Sequence, residues 1–176
     1  MRQFIAIPLP EEIKTDIARI SEPFRGIPGI RPVKTENLHL TLVFIGDQGS
    51  EAKTEKIREV SFRPFGLSTT SVELFPERRP RLIWIELEKP DELAILHRRL
   101  AAIYNLDEEL KAHVTIARIK WLSPENKKLL TELTGQLNPY IKDFLVSHFN
   151  LYSSELQSDG PVYRVVESFS ASPAES

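Results

Sequence analysis

The chain has 176 residues, of which 41% are hydrophobic and 27% are charged, and its formal net charge is −2. These values are typical of a globular protein with one sizeable core or two small lobes, and the charge excludes a general attraction to nucleic acid or anionic membranes. The absence of cysteine excludes disulfides, thiolate metal sites and cysteine nucleophiles. The early apolar run from Phe4 to Leu9 is too short for a signal-peptide core or a membrane span, so we expect a cytoplasmic location and no membrane partner.

The first part of the sequence alternates between predicted strands and helices. Its elements are, in order, a strand at 3–8, a helix that begins near Pro10, a loop at 26–37, a strand at 38–45, a helix from a cap at Ser50 to about residue 60, and a strand at 65–75. The helices are indicated by acidic first turns or capping residues followed by apolar side chains at helical spacing. Two glycines and two prolines indicate the loop at 26–37.

A proline-rich break at 76–80 ends this series, and the same order then begins again. The elements of the second part are a strand at 81–88, a helix from Pro90, a strand at 112–119, a helix capped by Ser123, a strand at 142–153, a turn at 158–161 and a last strand at 162–169. Ser123 followed by Pro124 is typical of a helix start.

The repeated strand-helix-strand-helix-strand order indicates an internal duplication. It predicts an α+β fold in which two halves with mostly antiparallel sheets face each other across a central cleft. We expect one bilobed domain over residues 1–176, with lobes at 1–76 and 80–170 and room for exchange of the C-terminal strands.

The same short motif occurs in a strand of each half: His39-Leu40-Thr41-Leu42 and His113-Val114-Thr115-Ile116. Residues i and i+2 of a strand project from the same face, so each motif presents an imidazole beside a hydroxyl. A buried His and Thr both need hydrogen-bond partners, so packing alone gives no reason to repeat the pair, although a polar seam between lobes is the structural alternative. The duplication favours one composite site with an acid, a base and two hydroxyls.

Arg118 is a candidate phosphate ligand near the second motif, because a guanidinium binds phosphate oxygens in a bidentate manner. It lies five positions after His113, which puts it on the opposite face unless a bulge or the strand end redirects it. A solvated charge at the strand end is the alternative. Basic residues also surround this strand and the mid-chain break, which is consistent with a local funnel for anions; they are Lys111, Lys120, Arg78, Arg79 and Arg81.

Other conspicuous side chains are given structural roles. We expect His97 at the surface or in an interface, and Trp84 and Phe44 in the core, although these two aromatics and Tyr163 have the chemistry to stack on a base. Trp121, after the second motif, is expected to pack on a helix.

The sequence resembles the two-histidine phosphoesterases, and within them the RNA 2′,3′-cyclic phosphodiesterases first described as 2′-5′ RNA ligases. The resemblance covers nearly the whole chain. It rests on both histidine motifs in their contexts and on three further stretches: Arg31-Pro32-Val33-Lys34-Thr35-Glu36-Asn37-Leu38, Arg79-Pro80-Arg81-Leu82-Ile83-Trp84, and Leu151-Tyr152-Ser153-Ser154 with Gly160-Pro161-Val162-Tyr163. Lys111-Ala112 departs from relatives, which often carry an aromatic residue or Pro before the second His.

This resemblance implies hydrolysis of a terminal 2′,3′-cyclic phosphate on RNA or a nucleotide to a 2′-phosphate, by a monomer, without metal or other cofactor. It implies that His39 is the proton donor and His113 the proton acceptor. Thr41 and Thr115 would hydrogen-bond the non-bridging oxygens, and Arg118 would bind the substrate phosphate.

Three alternatives remain open at this level. One is 2′-5′ ligation of tRNA halves, which is the same chemistry reversed. A second is an RNA-end-binding module without turnover. The third is a metal-dependent hydrolase with His39 and His113 as ligands, although neither motif has a second ligand at metal-binding spacing.

Overall fold

The computed structural model describes residues 1–47, 51–138 and 141–173, and for residues 51 and 52 only the backbone. The strands are β1 (Arg2–Pro8), β2 (Ile30–Pro32), β3 (His39–Gly46), β4 (Phe65–Leu67), β5 (Thr69–Phe75), β6 (Leu82–Leu87), β7 (His113–Ile119), β8 (Phe144–Val146), β9 (His148–Gln157) and β10 (Gly160–Ser170). The α-helices are α1 (Glu11–Ser21), α2 (Glu51–Arg58), α3 (Asp91–Ile103) and α4 (Pro124–Gln136). Among these helices, none combines the length and apolarity needed to cross a membrane.

Most strands form one sheet with the order β10-β9-β1-β3-β7-β6-β5, to which β2 is added beside β7. Every pairing between these strands is antiparallel. The predicted α+β class with antiparallel sheets is therefore confirmed. The two motif strands, β3 and β7, are neighbours at the centre of the sheet and are paired at Leu40 and Val114 alone, so the two halves diverge on either side of this point.

Strand pairing does not follow the order of the chain. The half that contains β3 also holds β1 and the C-terminal β9 and β10, because β9 pairs with β1. The half that contains β7 holds β6 and the earlier β5. The division of the chain into lobes at 1–76 and 80–170 stays a prediction.

Two predicted strands are each divided in the structure. The segments 65–75 and 142–153 form β4 with β5 and β8 with β9, since β4 and β8 pair with each other in a separate two-stranded sheet. The predicted loop at 26–37 contains the short strand β2, which pairs with β7. Both differences arise from partners distant in sequence, which a local pattern does not show. The predicted cap at Ser50 lies outside the described residues.

The core lies on the helix-covered face of the sheet. Helix α3 packs on β3 and α1 on β7, and Leu40 and Val114 are buried beneath them. Fully burying such a side chain contributes roughly 1.5–3 kcal/mol. Because successive side chains of a strand point to opposite faces, burying these two residues turns the flanking His and Thr side chains to the opposite face.

His97, expected at the surface or in an interface, is buried, so the surface location is wrong. Its Nδ1 lies 2.9 Å from the carbonyl oxygen of Leu42, and its Nε2 lies 2.8 Å from that of Glu108. The spacing from Leu93 to Leu100 already places His97 in the apolar stripe of α3. The ring thus connects α3 to the first motif strand and to the loop before the second.

Replacing His97 by Leu should destabilise the fold, because it leaves the buried carbonyl of Leu42 and the partly buried carbonyl of Glu108 without this partner. A buried acceptor that is left without a hydrogen-bond donor costs about 1–3 kcal/mol, so we expect a clearly lower urea midpoint for unfolding. Arg98→Leu, at an exposed neighbour on the same helix, is the matched control and should change the free energy of unfolding by only about 0.5 kcal/mol. Equal midpoints for the two variants would contradict a structural role for His97.

Candidate active site

The four motif side chains share one face at the centre of the sheet. His39, Thr41, His113 and Thr115 are each half-buried, whereas Leu40 and Val114 between them are buried. Because Leu40 opposes Val114 in an antiparallel pair, His39 lies on the side of Thr115 and His113 on the side of Thr41. The structure therefore brings the predicted residues of both motifs together.

Both motif histidines are held by the same backbone contact. The Nδ1 of His39 is 2.7 Å from the carbonyl oxygen of Asn37, and that of His113 is 2.6 Å from the carbonyl oxygen of Lys111. A carbonyl only accepts, so each Nδ1 donates its N–H, and each Nε2 carries the lone pair when the ring is neutral. Thr41 Oγ1 lies 2.9 Å from Nε2 of His39 and donates to it in this tautomer.

Asn37 is itself fixed at a distance along the chain. It is buried, and its side-chain amide donates to the carbonyl oxygen of Pro161, the second residue of β10, at 2.9 Å. The C-terminal hairpin thus supports the residue that orients His39. The role of Asn37 in orienting His39 is not predicted from the sequence, although Asn37 lies only two residues before it.

Each motif strand has a β-bulge at the last residue of its motif. The register along β3 passes over Leu42, and that along β7 passes over Ile116. Two consecutive buried residues follow each Thr, and the next residue is exposed. A bulge shifts the alternation by one residue, so Arg118 returns to the face of His113. This settles the face on which Arg118 lies.

The equivalent residue in the first half is Phe44. It is 70% exposed, so the prediction that it belongs to the core is wrong. The same bulge that redirects Arg118 moves this ring out of the core. Its centroid lies 6.3 Å from that of Phe4, which is its partner in the neighbouring strand. The two halves therefore offer an aromatic ring and a guanidinium in equivalent places.

Aromatic rings pack around both imidazoles. The ring of His39 is 5.0 Å from Phe4 and 5.4 Å from Tyr163 between centroids. The ring of His113 is 4.2 Å from Trp84, which stacks on Phe75 at 4.0 Å. Trp84 is buried as predicted, and its position beside His113 was not visible in the sequence because it depends on the pairing of β6 with β7.

Burial lowers the pKa of both histidines. The pKa of His39 falls to about 4; burial is the main cause, the contact with the Asn37 carbonyl opposes it, and the positive charges of His113 and Arg118 add to it. The pKa of His113 is lowered by burial and by the charge of Lys111, against the contact with the Lys111 carbonyl. Both rings are therefore neutral at pH 7 in the free protein.

The lowered pKa of His39 makes stability depend on pH. Between pH 6.5 and about 4 the unfolded chain binds a proton at this residue that the folded protein does not. The contribution of His39 to the free energy of unfolding is therefore fully present above pH 6.5. It decreases as the pH falls, by about 3 kcal/mol at most. Urea unfolding near the two ends of this pH range should show a smaller decrease in the free energy of unfolding for His39→Asn than for the wild type. Equal losses would contradict the burial of a neutral His39.

The donor set around the histidines does not favour a metal centre. Within residues 1–47, 51–138 and 141–173, no three His, Cys, Asp or Glu side chains cluster closely enough to hold an ion. Proton transfer by the two imidazoles is the chemistry that the arrangement supports.

Comparisons with known proteins show which family the chain resembles. Residues 7–84 match the family described as LigT-like phosphoesterase. The RNA 2′,3′-cyclic phosphodiesterase of Archaeoglobus fulgidus is 31% identical over 96% of this chain and 99% of its own length. That of Methanocaldococcus jannaschii is 32% identical over 95% of this chain and 99% of its own. The crystal structure of TT0787 of Thermus thermophilus covers 97% of both chains with a TM-score of 0.79 at 28% identity.

The chain belongs to the LigT-like phosphoesterase family of the two-histidine phosphoesterase superfamily. It is therefore a member of a family of hydrolases.

Proposed function

We propose that this protein hydrolyses the terminal 2′,3′-cyclic phosphate of RNA to a 2′-phosphate, with its two motif histidines as proton donor and acceptor. The observation that carries the proposal is the pair of imidazoles on adjacent strands, each with Nδ1 held by a backbone carbonyl and Nε2 on the shared face, where that of His39 contacts the Thr41 hydroxyl. The names of the two archaeal relatives support the substrate class.

In this mechanism, water attacks the phosphorus atom and the bond from phosphorus to O3′ breaks. His113 accepts the proton of the water at Nε2, and His39 donates the proton on its Nε2 to the departing O3′. The phosphate remains on O2′. Each His ends in the protonation state in which the other began, so a proton exchange with solvent resets the site.

The donor role requires a protonated His39, whereas its pKa in the free protein is about 4. The substrate supplies the missing charge. A phosphate anion beside Nε2 stabilises the imidazolium and raises the pKa, as an opposite charge within a few ångströms does. Exchange of the two roles is the alternative assignment, and the position of the phosphate in the product does not depend on it.

Thr41, Thr115 and Arg118 would hold the phosphate. A hydroxyl shares the strand face of each imidazole, and both hydroxyls would donate to the non-bridging oxygens once substrate is bound. The exposed guanidinium of Arg118, on the same face, would stabilise the charge that develops on these oxygens.

Phe44 offers a surface for the terminal base. Phe44→Ala should weaken substrate binding, because stacking of a base on an aromatic ring is worth about 1–3 kcal/mol. We expect a higher KM with little change in kcat, whereas Phe44→Tyr should keep the wild-type KM. An unchanged KM in Phe44→Ala would exclude the stacking role.

A cyclic-phosphate oligonucleotide tests the proposal directly. Incubation with the wild-type protein should give a linear phosphate monoester, and added chelator should leave the rate unchanged. Tight binding without product would favour an RNA-end-binding module. Loss of activity with chelator would favour a metal-dependent hydrolase, and a joined product with a 5′-hydroxyl RNA would favour the ligase.

A further inference from the structure

A basic groove lies at the end of β7, beyond Arg118. It encloses about 330 Å³ between the segment after β5, the residues that follow β7 and the first turn of α4. Its charged side chains, with one indole among them, are those of Arg78, Arg79, Arg81, Lys120, Lys127 and Trp121. The function proposed above does not use any of them.

The cations of the basic groove are not neutralised by carboxylates. Within the described part of the chain, none of the five forms an ion pair, and neither do Glu77 and Glu125, the acidic residues nearest to them in sequence. In the other half of the sheet, Lys34 is paired with Asp159 at 2.6 Å. Uncompensated positive charge is therefore concentrated on one side of the site, which favours an anionic ligand there.

Trp121 stands among these cations with 57% of its surface exposed. The loop before β2 supports it: Gly29 accepts a hydrogen bond from the backbone of Lys120 at 2.8 Å. A Cβ at Gly29, whose φ is +84°, would lie 3.0 Å from the indole and clash with the Trp121 carbonyl. The chain thus holds a large aromatic ring at the surface instead of burying it, so its expected packing on a helix does not account for its exposure.

The basic groove is continuous with the candidate active site. Arg118, near the end of β7, and Lys120, directly after it, are both exposed and are separated by about 7 Å of extended chain. Arg31 lies opposite Arg118 in β2. A polyanion held at the motif histidines therefore has a path of positive charge from Arg118 into the groove.

We propose that the basic groove binds the single-stranded RNA that precedes the terminal nucleotide, with phosphates on its cations and one base stacked on Trp121. This rests on the function proposed above and adds to it the surface that holds the RNA strand, and with it a preference for oligonucleotides over mononucleotides. An exposed ring surrounded by cations is the combination with which proteins hold unpaired bases and their backbone. A duplex does not offer such a base, because its bases are stacked on each other.

Turnover of a long and a short substrate distinguishes a role of the groove in binding RNA from a role in the chemical step. For the double variant Arg79→Ala/Lys127→Ala, we expect kcat/KM on a cyclic-phosphate oligonucleotide to fall roughly ten-fold at low salt, with a shallower salt dependence because phosphate contacts are lost. A nucleoside 2′,3′-cyclic phosphate does not reach the groove, so its kcat/KM should stay unchanged. Arg98→Ala/Lys128→Ala, at exposed positions outside the groove, is the matched control.

Trp121 is tested by its own pair of variants. Trp121→Leu keeps bulk against Gly29 but removes the aromatic face, and it should reduce affinity for a single-stranded oligonucleotide by about five-fold or more. Trp121→Phe should restore most of this affinity. Fluorescence anisotropy with a labelled oligonucleotide that ends in a 2′-phosphate measures binding without turnover.

The binding experiment keeps this proposal distinct from the catalytic one. If the wild type hydrolyses neither substrate, the proposed function fails, and anisotropy still decides on the groove. Equal affinities for the groove variants and the Arg98→Ala/Lys128→Ala control would overturn the groove proposal. Preference for a duplex of equal length over the single strand, or a loss of kcat/KM that is the same for both substrates, would overturn it as well.

Discussion

Replacing either motif histidine by alanine should lower turnover of a cyclic phosphate by about 10²–10⁴-fold, the usual contribution of a positioned acid or base. The reason is geometric. Each Nε2 is fixed toward the shared face by an Nδ1 contact, to the Asn37 carbonyl for His39 and to the Lys111 carbonyl for His113. Steady-state kinetics on His39→Ala and His113→Ala measure the effect.

The double variant and a histidine outside the two motifs provide the controls. Residues that act as a unit are not additive, so His39→Ala/His113→Ala should be only slightly slower than the worse single variant. His148→Ala, at a half-buried histidine in β9, should keep wild-type turnover. Near-normal activity in either motif variant, with circular dichroism showing a folded protein, would exclude the acid–base pair.

Arg118→Ala should reduce kcat by about 10²–10³-fold, as the loss of one strong donor to a developing negative charge does. Its side chain is exposed on the face of the histidines because the bulge at Ile116 redirects it. Arg118→Lys should restore only part of the rate, since an ammonium does not make the bidentate contact of a guanidinium.

The control for this prediction is Arg164→Ala. Arg164 is an exposed arginine of β10 that faces Glu155 at 4.0 Å, and its loss should leave kcat unchanged. A higher KM with unchanged kcat in Arg118→Ala would show uniform binding of substrate and transition state instead. Full activity in Arg118→Lys would contradict a bidentate contact.

The equivalent places of Phe44 and Arg118 show how the duplicated halves differ. Both residues follow the same bulge and the same two buried residues, yet one half has an aromatic ring at this place and the other a cation. The two imidazoles therefore lie in unlike surroundings, with Phe4 and Tyr163 around His39 and with Trp84 and Lys111 near His113. Unlike surroundings are what a site needs to give two chemically identical groups different proton-transfer roles.

Local periodicity was enough to predict the four helices, most of the strands and the shared face of the motif residues, but not β2 or the division of the segments 65–75 and 142–153. The alternation around Leu40 and Val114 and the repeated element order carried that information. The face of Arg118 and the exposure of Phe44 depend on bulges, which one strand reveals only when its partner is known. The pairing of β4 with β8 and the contact of His97 with Leu42 are likewise long-range. The apolar stripe of α3 indicates that His97 is buried, whereas the polarity of its imidazole favours the surface, and the stripe is the better guide here.

The position of the phosphate in the reaction product tests the central claim most directly. An oligonucleotide with a 2′,3′-cyclic phosphate is incubated with the wild-type protein, and ³¹P NMR or digestion with a phosphatase of known regiospecificity identifies the monoester. Proton donation to O3′ at a site built from His39 and His113 predicts a 2′-phosphate, absent from the His39→Ala and His113→Ala reactions. A 3′-phosphate, or the same product from both variants, would contradict it.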